Sequence, residues 1–272
     1  MVAAPASSDT ASAALRCRRR IVTMTHRAGA GHPGGSLSAI DLMVCLYGSV
    51  LNHRPEDPLW DDRDRFILSK GHASPAMYAV LAEHGYISEE DLEGFRTLGS
   101  ICQGHVDSKW TPGVDFSGGS LGMGLSFGLG VAMAASLTDS QRATWVMLGD
   151  GECQEGQIWE AAMAAIHHEV ERVYVIVDRN RIQNDDFVDE QMRLGDLSAK
   201  WDSFGWRVIE VDGHDHASVL SAFQEMVSDS SPAVLIARTT KGKGVSFMEN
   251  NPSFHGAAPS DEQLVTAMEE LS

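Results

Sequence analysis

The chain has 272 residues, the length of one large α/β domain or two small ones, and is 43% hydrophobic and 22% charged, as suits a globular protein with a sizeable core. Against 38 acidic residues stand 21 basic ones, a net charge of −17 that makes nucleic acid and anionic membranes poor partners; a polyphosphate ligand would need a local cation, foremost a bound metal. Cys17, Cys45, Cys102 and Cys153 lie far apart with no CxxC pair, and the Ala/Ser-rich start has no continuous apolar core of a signal peptide, so a reduced, cytoplasmic protein is expected.

Residues 1–10 are expected to form a flexible tail and residues 11–272 a single domain. From Ala11 to about Arg27 the residues favour a helix, stopped by the turn-forming Gly29-Ala30-Gly31-His32-Pro33-Gly34-Gly35. A second helix is predicted from about Ala39 to Val50, with Leu42, Met43 and Leu46 on one face. Arg65 to Leu68 reads as a short buried strand ending at Ser69-Lys70-Gly71-His72, and Ala73 to His84 as the helix after it. Gly118 to Gly130 is dense in glycine and runs into Val131 to Ala135; residues this small predict a helix packed close against a sheet or a ligand. Strands are predicted at Ala143–Leu148, Val173–Val177, Trp206–Val211 and Ala233–Ala237, with helices at Trp159–His167 and around Ser218–Val227. Apolar strands alternating with helices define an α/β fold, three layers α/β/α around a mainly parallel sheet.

In such sheets the working residues sit beyond the carboxyl ends of the strands. Three predicted strands end in Ser-Lys-Gly-His, Gly-Asp-Gly and Asp-Arg-Asn. Asn180 follows Asp150 by 30 residues, about one βαβ unit, which sets the two strand ends side by side. A carboxylate from Asp150, the amide oxygen of Asn180 and a nearby carbonyl such as that of Ile182 make an all-oxygen set of the kind Mg²⁺ prefers. The glycines flanking Asp150 allow a diphosphate to approach the backbone closely.

Gly-Asp-Gly followed by Asn at this spacing resembles the thiamine diphosphate signature. The remainder resembles the amino-terminal, diphosphate-binding half of a transketolase, through Gly31-His32-Pro33-Gly34-Gly35, Ser69-Lys70-Gly71-His72-Ala73, Gly104-His105, Gly119-Ser120-Leu121-Gly122, Gly149-Asp150-Gly151-Glu152 and His255-Gly256-Ala257 in the family's order. The resemblance covers roughly residues 10 to 260 and implies the thiamine diphosphate-binding fold. It implies Mg²⁺, with Ca²⁺ or Mn²⁺ as substitutes, on Asp150, Asn180 and the carbonyl of Ile182. Gly151, His72 and His255 would meet the cofactor's diphosphate side, and Gly119, Ser120 and Leu121 would contact the cofactor through their backbone. His32, His72, His105 and His255 would surround the reacting carbon, and Glu155 matches a glutamate at the interface between active sites. The cofactor acts as electron sink while a ketose carbon–carbon bond breaks; imidazole, titrating near working pH, suits the proton transfers on sugar oxygens.

A complete transketolase is more than twice this long, and its second domain carries the glutamate that faces the aminopyrimidine ring. The resemblance therefore implies a split enzyme: an N-terminal subunit working with a C-terminal, pyrimidine-domain partner chain, in an α₂β₂ assembly, on sugar or sugar phosphate substrates. Two other readings stay open, the α subunit of a 2-oxo-acid dehydrogenase, which shares the metal motif, and a non-catalytic cofactor-binding subunit. Asn184 and Asp186 depart from the family's apolar residue and glycine, and Asn184 falls near the expected thiazolium wall. Lys241-Gly242-Lys243-Gly244 lacks Walker spacing and falls where the family has a loop beside the cofactor. His167-His168-Glu169 is read as a solvent-facing helix end, and His214-Asp215-His216 as a turn and helix cap.

Overall fold

The computed structural model describes residues 7–184 and 186–272. The chain opens with α1 (Ser7–Ala28) and α2 (Pro33–Ser49), then β1 (Arg65–Leu68), a 3₁₀ turn (Gly71–Ala73), α3 (Ser74–Glu83) and α4 (Glu89–Glu93). Next come α5 (Met123–Leu137), β2 (Thr144–Gly149), a 3₁₀ turn (Gly151–Gln154), α6 (Gly156–His167) and β3 (Val173–Arg179). It closes with α7 (Val188–Gln191), α8 (Leu197–Ser203), β4 (Arg207–Asp212), α9 (His216–Val227), β5 (Ala233–Arg238), a 3₁₀ turn (Pro252–Phe254) and α10 (Asp261–Glu270).

The strands form one sheet in the order β1-β2-β3-β5-β4, and every neighbouring pair is parallel. Because side chains alternate along a strand, each strand feeds two cores. Phe66, Trp145, Met147, Tyr174, Ile176 and Leu235 point to one face, where they meet α1, α2, α3 and α9. Ile67, Val146, Leu148, Val175, Val177 and Ile236 point to the other and meet α5, α6 and α8. Burial on both faces explains the near-continuous apolar runs of β2, β3 and β5.

The five strands lie where periodicity put them; the helix starts differ. The first helix begins at Ser7 rather than Ala11, inside the stretch expected to be a tail; the rest of that stretch, residues 1–6, lies outside the described residues. The second begins at Pro33, six residues before the expected Ala39. Pro33 occupies the first turn, where a missing N–H costs nothing. Gly34 continues the helix because a neighbour demands it: a Cβ there would stand 2.8 Å from the Phe254 carbonyl oxygen. From Met123 on, the glycine-rich stretch is α5, and it packs as tightly as its composition predicts. A Cβ on Gly124 would lie 2.4 Å from Cβ of Ser69. Both α4 and α10 carry capping boxes, Ser88 with Asp91 and Ser260 with Gln263. Among the described residues no helix is long and apolar enough to cross a membrane.

Candidate functional site

The carboxyl ends of β1, β2, β3 and β5 open into a cavity of about 300 Å³. The register Gly149↔Asp178 puts the end of β2 beside the end of β3, and the Asp150 N–H donates to the Asp178 carbonyl at 3.3 Å. The Asp150 carboxylate accepts from the backbone N–H of Arg181 at 2.6 Å and of Gly151 at 2.9 Å. Asn180 accepts on Oδ1 from the Ile182 N–H at 3.1 Å. Its Nδ2 donates to Ser38 Oγ and to Asp178, both at 3.2 Å, which fixes the amide's orientation. Asp150, Asn180 and Ile182 therefore line the same cavity.

Of the four histidines, His72 and His255 line the cavity, and His32 and His105 lie behind them. His32, His72 and His255 have mutual centroid separations of 5.2 to 5.4 Å, and His105 lies outside them at 6.4 Å from His32. Sequence reasoning offers imidazoles that titrate near working pH; the fold holds them neutral. Burial, helped by His105, Arg96 and Lys241, lowers His32 to about 4, and burial with the Lys241 charge lowers His255 to about 3. Burial and Lys70 push His72 well below its usual value, and burial lowers His105 as well. Nδ1 of His32 is buried with no hydrogen-bond partner among the described residues.

Gly119, Ser120 and Leu121 are exposed at the rim, and Leu121 reaches the cavity. Their loop can lie against the His72 turn because Gly71 and Gly118 meet backbone to backbone; a Cβ on Gly71 would come within 2.9 Å of the Gly118 carbonyl carbon. Glu155, also exposed, stands at the N-cap of α6 on the cavity edge, and Gly151 lines the wall beside Gln183. Asn184 is brought to the cavity; Asp186 is not, and instead closes a turn by accepting from the Gln183 N–H at 3.0 Å.

Three residues of the site went unassigned in the sequence. Lys70 is 1% exposed, donates to the Gly35 carbonyl at 3.0 Å and pairs with Asp178, which is fully buried. Lys241 donates to the Ile182 carbonyl at 2.9 Å and contacts His255 Nδ1 at 2.6 Å; burial and Lys70 bring it down to about 7. Glu152 accepts from Ser69 Oγ, from the Gly122 N–H at 2.9 Å and from the Gly149 N–H at 3.0 Å, tying the end of β1, the loop before α5 and the end of β2 to one carboxylate. Their positions next to recognised motifs were visible in the sequence, but their partners are 83 to 108 residues away for Ser69–Glu152 and Lys70–Asp178. To the expectation that an acidic chain needs a metal to hold a polyphosphate the cavity adds two buried lysines, one of them already paired with Asp178.

The donor set also suits a hard divalent ion. Burial, with the nearby Asp178 charge, raises Asp150 to about 6, which marks a carboxylate with no cation paired to it. Asp150, the Asn180 amide and the Ile182 carbonyl offer oxygen only, the last through the lone pair that Lys241 leaves free. Among the described residues there is no group of three His, Cys, Asp or Glu side chains fit to hold a metal. His167 and His168 sit exposed at the end of α6, and Asp215 caps α9 by accepting from the Ala217 N–H.

A parallel sheet with a cavity, buried lysines and oxygen donors gathered at its carboxyl ends defines an α/β protein with its candidate binding site at the strand ends. The model of the transketolase thiamine diphosphate binding domain matches residues 10–271, and the chain belongs to that family. An apulose-4-phosphate transketolase subunit of Phocaeicola vulgatus is 39% identical over 94% of this chain and 91% of its own length. The 6-deoxy-6-sulfo-D-fructose transketolase subunit SqwG of a Clostridium species is 38% identical over 89% of each. Human transketolase is 35% identical over 92% of this chain but only 40% of its own. The crystal structure of Campylobacter jejuni transketolase superposes with a TM-score of 0.92 at 32% identity, over 97% of this chain and 43% of that one. The chain thus spans about two fifths of a single-chain transketolase and nearly the whole of the two subunits.

Proposed function

We propose that this chain is the thiamine diphosphate- and Mg²⁺-binding subunit of a two-chain transketolase, moving a two-carbon ketol unit from a ketose to an aldose. The observation that carries the reading is the meeting, around one cavity, of Asp150, Asn180 and Ile182 with two buried lysines and two histidines, His72 and His255, against which His32 packs. When bound, the cofactor supplies an electron sink for breaking a carbon–carbon bond beside a carbonyl. Asp150, Asn180 and the Ile182 carbonyl would hold the divalent ion. Lys70, Lys241, Gly151, His72 and His255 would face the diphosphate, and the Gly119–Ser120–Leu121 backbone would line the organic part.

Held neutral, His32, His72 and His105 each carry one N–H and one bare nitrogen, while Nδ1 of His255 is taken up by Lys241. That is the form in which an imidazole can both donate to a sugar oxygen and receive its proton.

Support for a partner chain comes from relatives that are themselves named as subunits and are matched over nearly their full length. It also comes from an exposed apolar face: Met123, Phe127, Met133 and Leu137 on α5, joined by Met163 of α6. We infer a C-terminal pyrimidine-domain partner in an α₂β₂ assembly, with Glu155 at the junction between sites. The cavity is open at Asn184, where an unusual sugar or sugar phosphate would be read; four free, buried cysteines suit a cytoplasmic setting.

The test is ketol transfer from hydroxypyruvate with thiamine diphosphate and Mg²⁺, run with the chain alone and with the partner chain added. Transfer in the mixture only is expected. Cofactor binding without transfer to any aldose in the mixture would refute the catalytic reading.

A further inference from the structure

On the sheet face covered by α1 and α2 lies a buried polar cluster outside the cavity. Asp41 of α2 is 3% exposed and accepts from both terminal nitrogens of Arg18, at 2.9 and 2.5 Å. His214 Nδ1 meets it at 2.6 Å and His216 Nε2 at 3.0 Å, while Nδ1 of His216 contacts Thr10 Oγ1 at 2.8 Å. Burial works to raise Asp41, but the bonds from His214, His216 and Arg18 hold it far below the ordinary carboxylate range. The carboxylate is therefore ionised, and the groups around it are its donors.

The cluster reaches the loop after β5 at two points. His214 Nε2 accepts from the Thr240 N–H at 2.8 Å. A ring nitrogen that accepts carries no proton, so the proton of a neutral His214 sits on Nδ1 and is donated to Asp41. At the other side, Arg18 Nε donates to the Lys243 carbonyl at 3.0 Å. Between the anchors the chain turns through Gly242, at φ +79°, whose N–H donates to the Gly34 carbonyl at 3.0 Å. The residue enclosed by these contacts is Lys241, with its ammonium on the Ile182 carbonyl.

We propose that Asp41, His214 and Arg18 are positioning residues that clamp the Thr240–Lys243 loop and so set the Lys241 ammonium in the cavity; the proposal rests on reading that cavity as the thiamine diphosphate site. None of the three lines the cavity. They act through Lys241, in the manner of the outer groups that fix a metal ligand or a catalytic base.

The test compares the full-length wild type with His214→Leu, Lys241→Ala and the double variant. Amide hydrogen exchange is measured first, without cofactor. His214→Leu is expected to speed exchange at Thr240 to Gly244 about five- to tenfold, the change for one ordinary hydrogen bond, while β2 and β3 exchange as before. Calorimetric titration with thiamine diphosphate and Mg²⁺ follows. His214→Leu should bind about five- to tenfold more weakly, and the double variant no more weakly than Lys241→Ala. His214→Gln, whose amide has one donor and one acceptor, should recover part of both losses, and it replaces the leucine variant if that one fails to fold. Unchanged exchange at Thr240 to Gly244, or losses that multiply in the double variant, would overturn the clamp. A wild type that binds no thiamine diphosphate would refute the cavity's assignment instead, and the exchange data would still decide whether His214 anchors the loop.

Discussion

Replacing Glu152 by glutamine isolates what one buried carboxylate does for the site. Glu152 is 3% exposed, and three donors converge on it. Ser69 Oγ and the Gly122 N–H share Oε1, while the Gly149 N–H uses Oε2. Glutamine can keep the first pair on its oxygen, but its NH₂ then faces the Gly149 N–H, donor against donor. One charge-assisted bond worth about 1.5–3 kcal/mol is lost. Burial raises the Glu152 carboxyl, so ionising it in the fold carries a cost that glutamine avoids and that offsets part of the loss. The net expectation is a destabilisation of about 1–2 kcal/mol, or about 2–8 °C in Tm for a domain of this size. Gly149 leads into Asp150 and Gly122 closes the Gly119–Leu121 loop, so cofactor affinity should fall too. Thermal unfolding of the ligand-free chain and calorimetric titration with thiamine diphosphate and Mg²⁺ read the two effects. A Tm within about 1 °C of wild type, the effect of a neutral surface change, together with unaltered affinity would refute the argument that this carboxylate ties the loops.

Other outcomes follow from the same geometry. Asp150→Ala should leave the far-UV circular dichroism intact and abolish Mg²⁺-dependent cofactor binding; binding at wild-type affinity would remove the metal assignment. His72→Ala should fold normally and lower kcat of the two-chain complex about 10²- to 10⁴-fold, the range for a lost proton-transfer group, whereas unchanged turnover would sink its catalytic role. His84 is held at about 4 by burial and the neighbouring His53, and its Nε2 is buried without a partner among the described residues. The unfolded chain takes up this proton near pH 6.5 and the folded one only near 4, so stability is lost as pH falls between those values. The loss attributable to His84 is up to about 3 kcal/mol by pH 4. Urea unfolding of His84→Phe beside wild type from pH 7 to 5 should show the variant less sensitive to acid, and parallel curves would contradict the assignment.

Much of this protein is local and therefore legible in the sequence. Strand runs such as Val173 to Val177 are apolar because both of their faces are buried, and βαβ spacing alone brings Asp150 next to Asn180. The family's motifs mark the strand ends, and the family match agrees with the resemblance those motifs carry. Helix starts were less so. The Gly31–Gly35 stretch has the composition of a turn, and only the approach of the Phe254 carbonyl explains why Gly34 stands inside a helix. Charge state was hidden for a related reason. A histidine's pKa depends on burial and on charges from distant segments, and four imidazoles that looked ready to titrate are kept neutral by burial beside Lys70, Lys241 and Arg96. The same holds for the buried pairs. Lys70 finds Asp178 across 108 residues and Asp41 finds His214 across 173, and no periodicity or spacing encodes such contacts. Residue pattern and motif order are enough to specify the layers, the sheet and the residues at its working edge. Pairing, neutrality and fixed placement of those residues arise only once folding removes water from around them, because desolvation makes every unpaired charge costly and every correctly placed partner count.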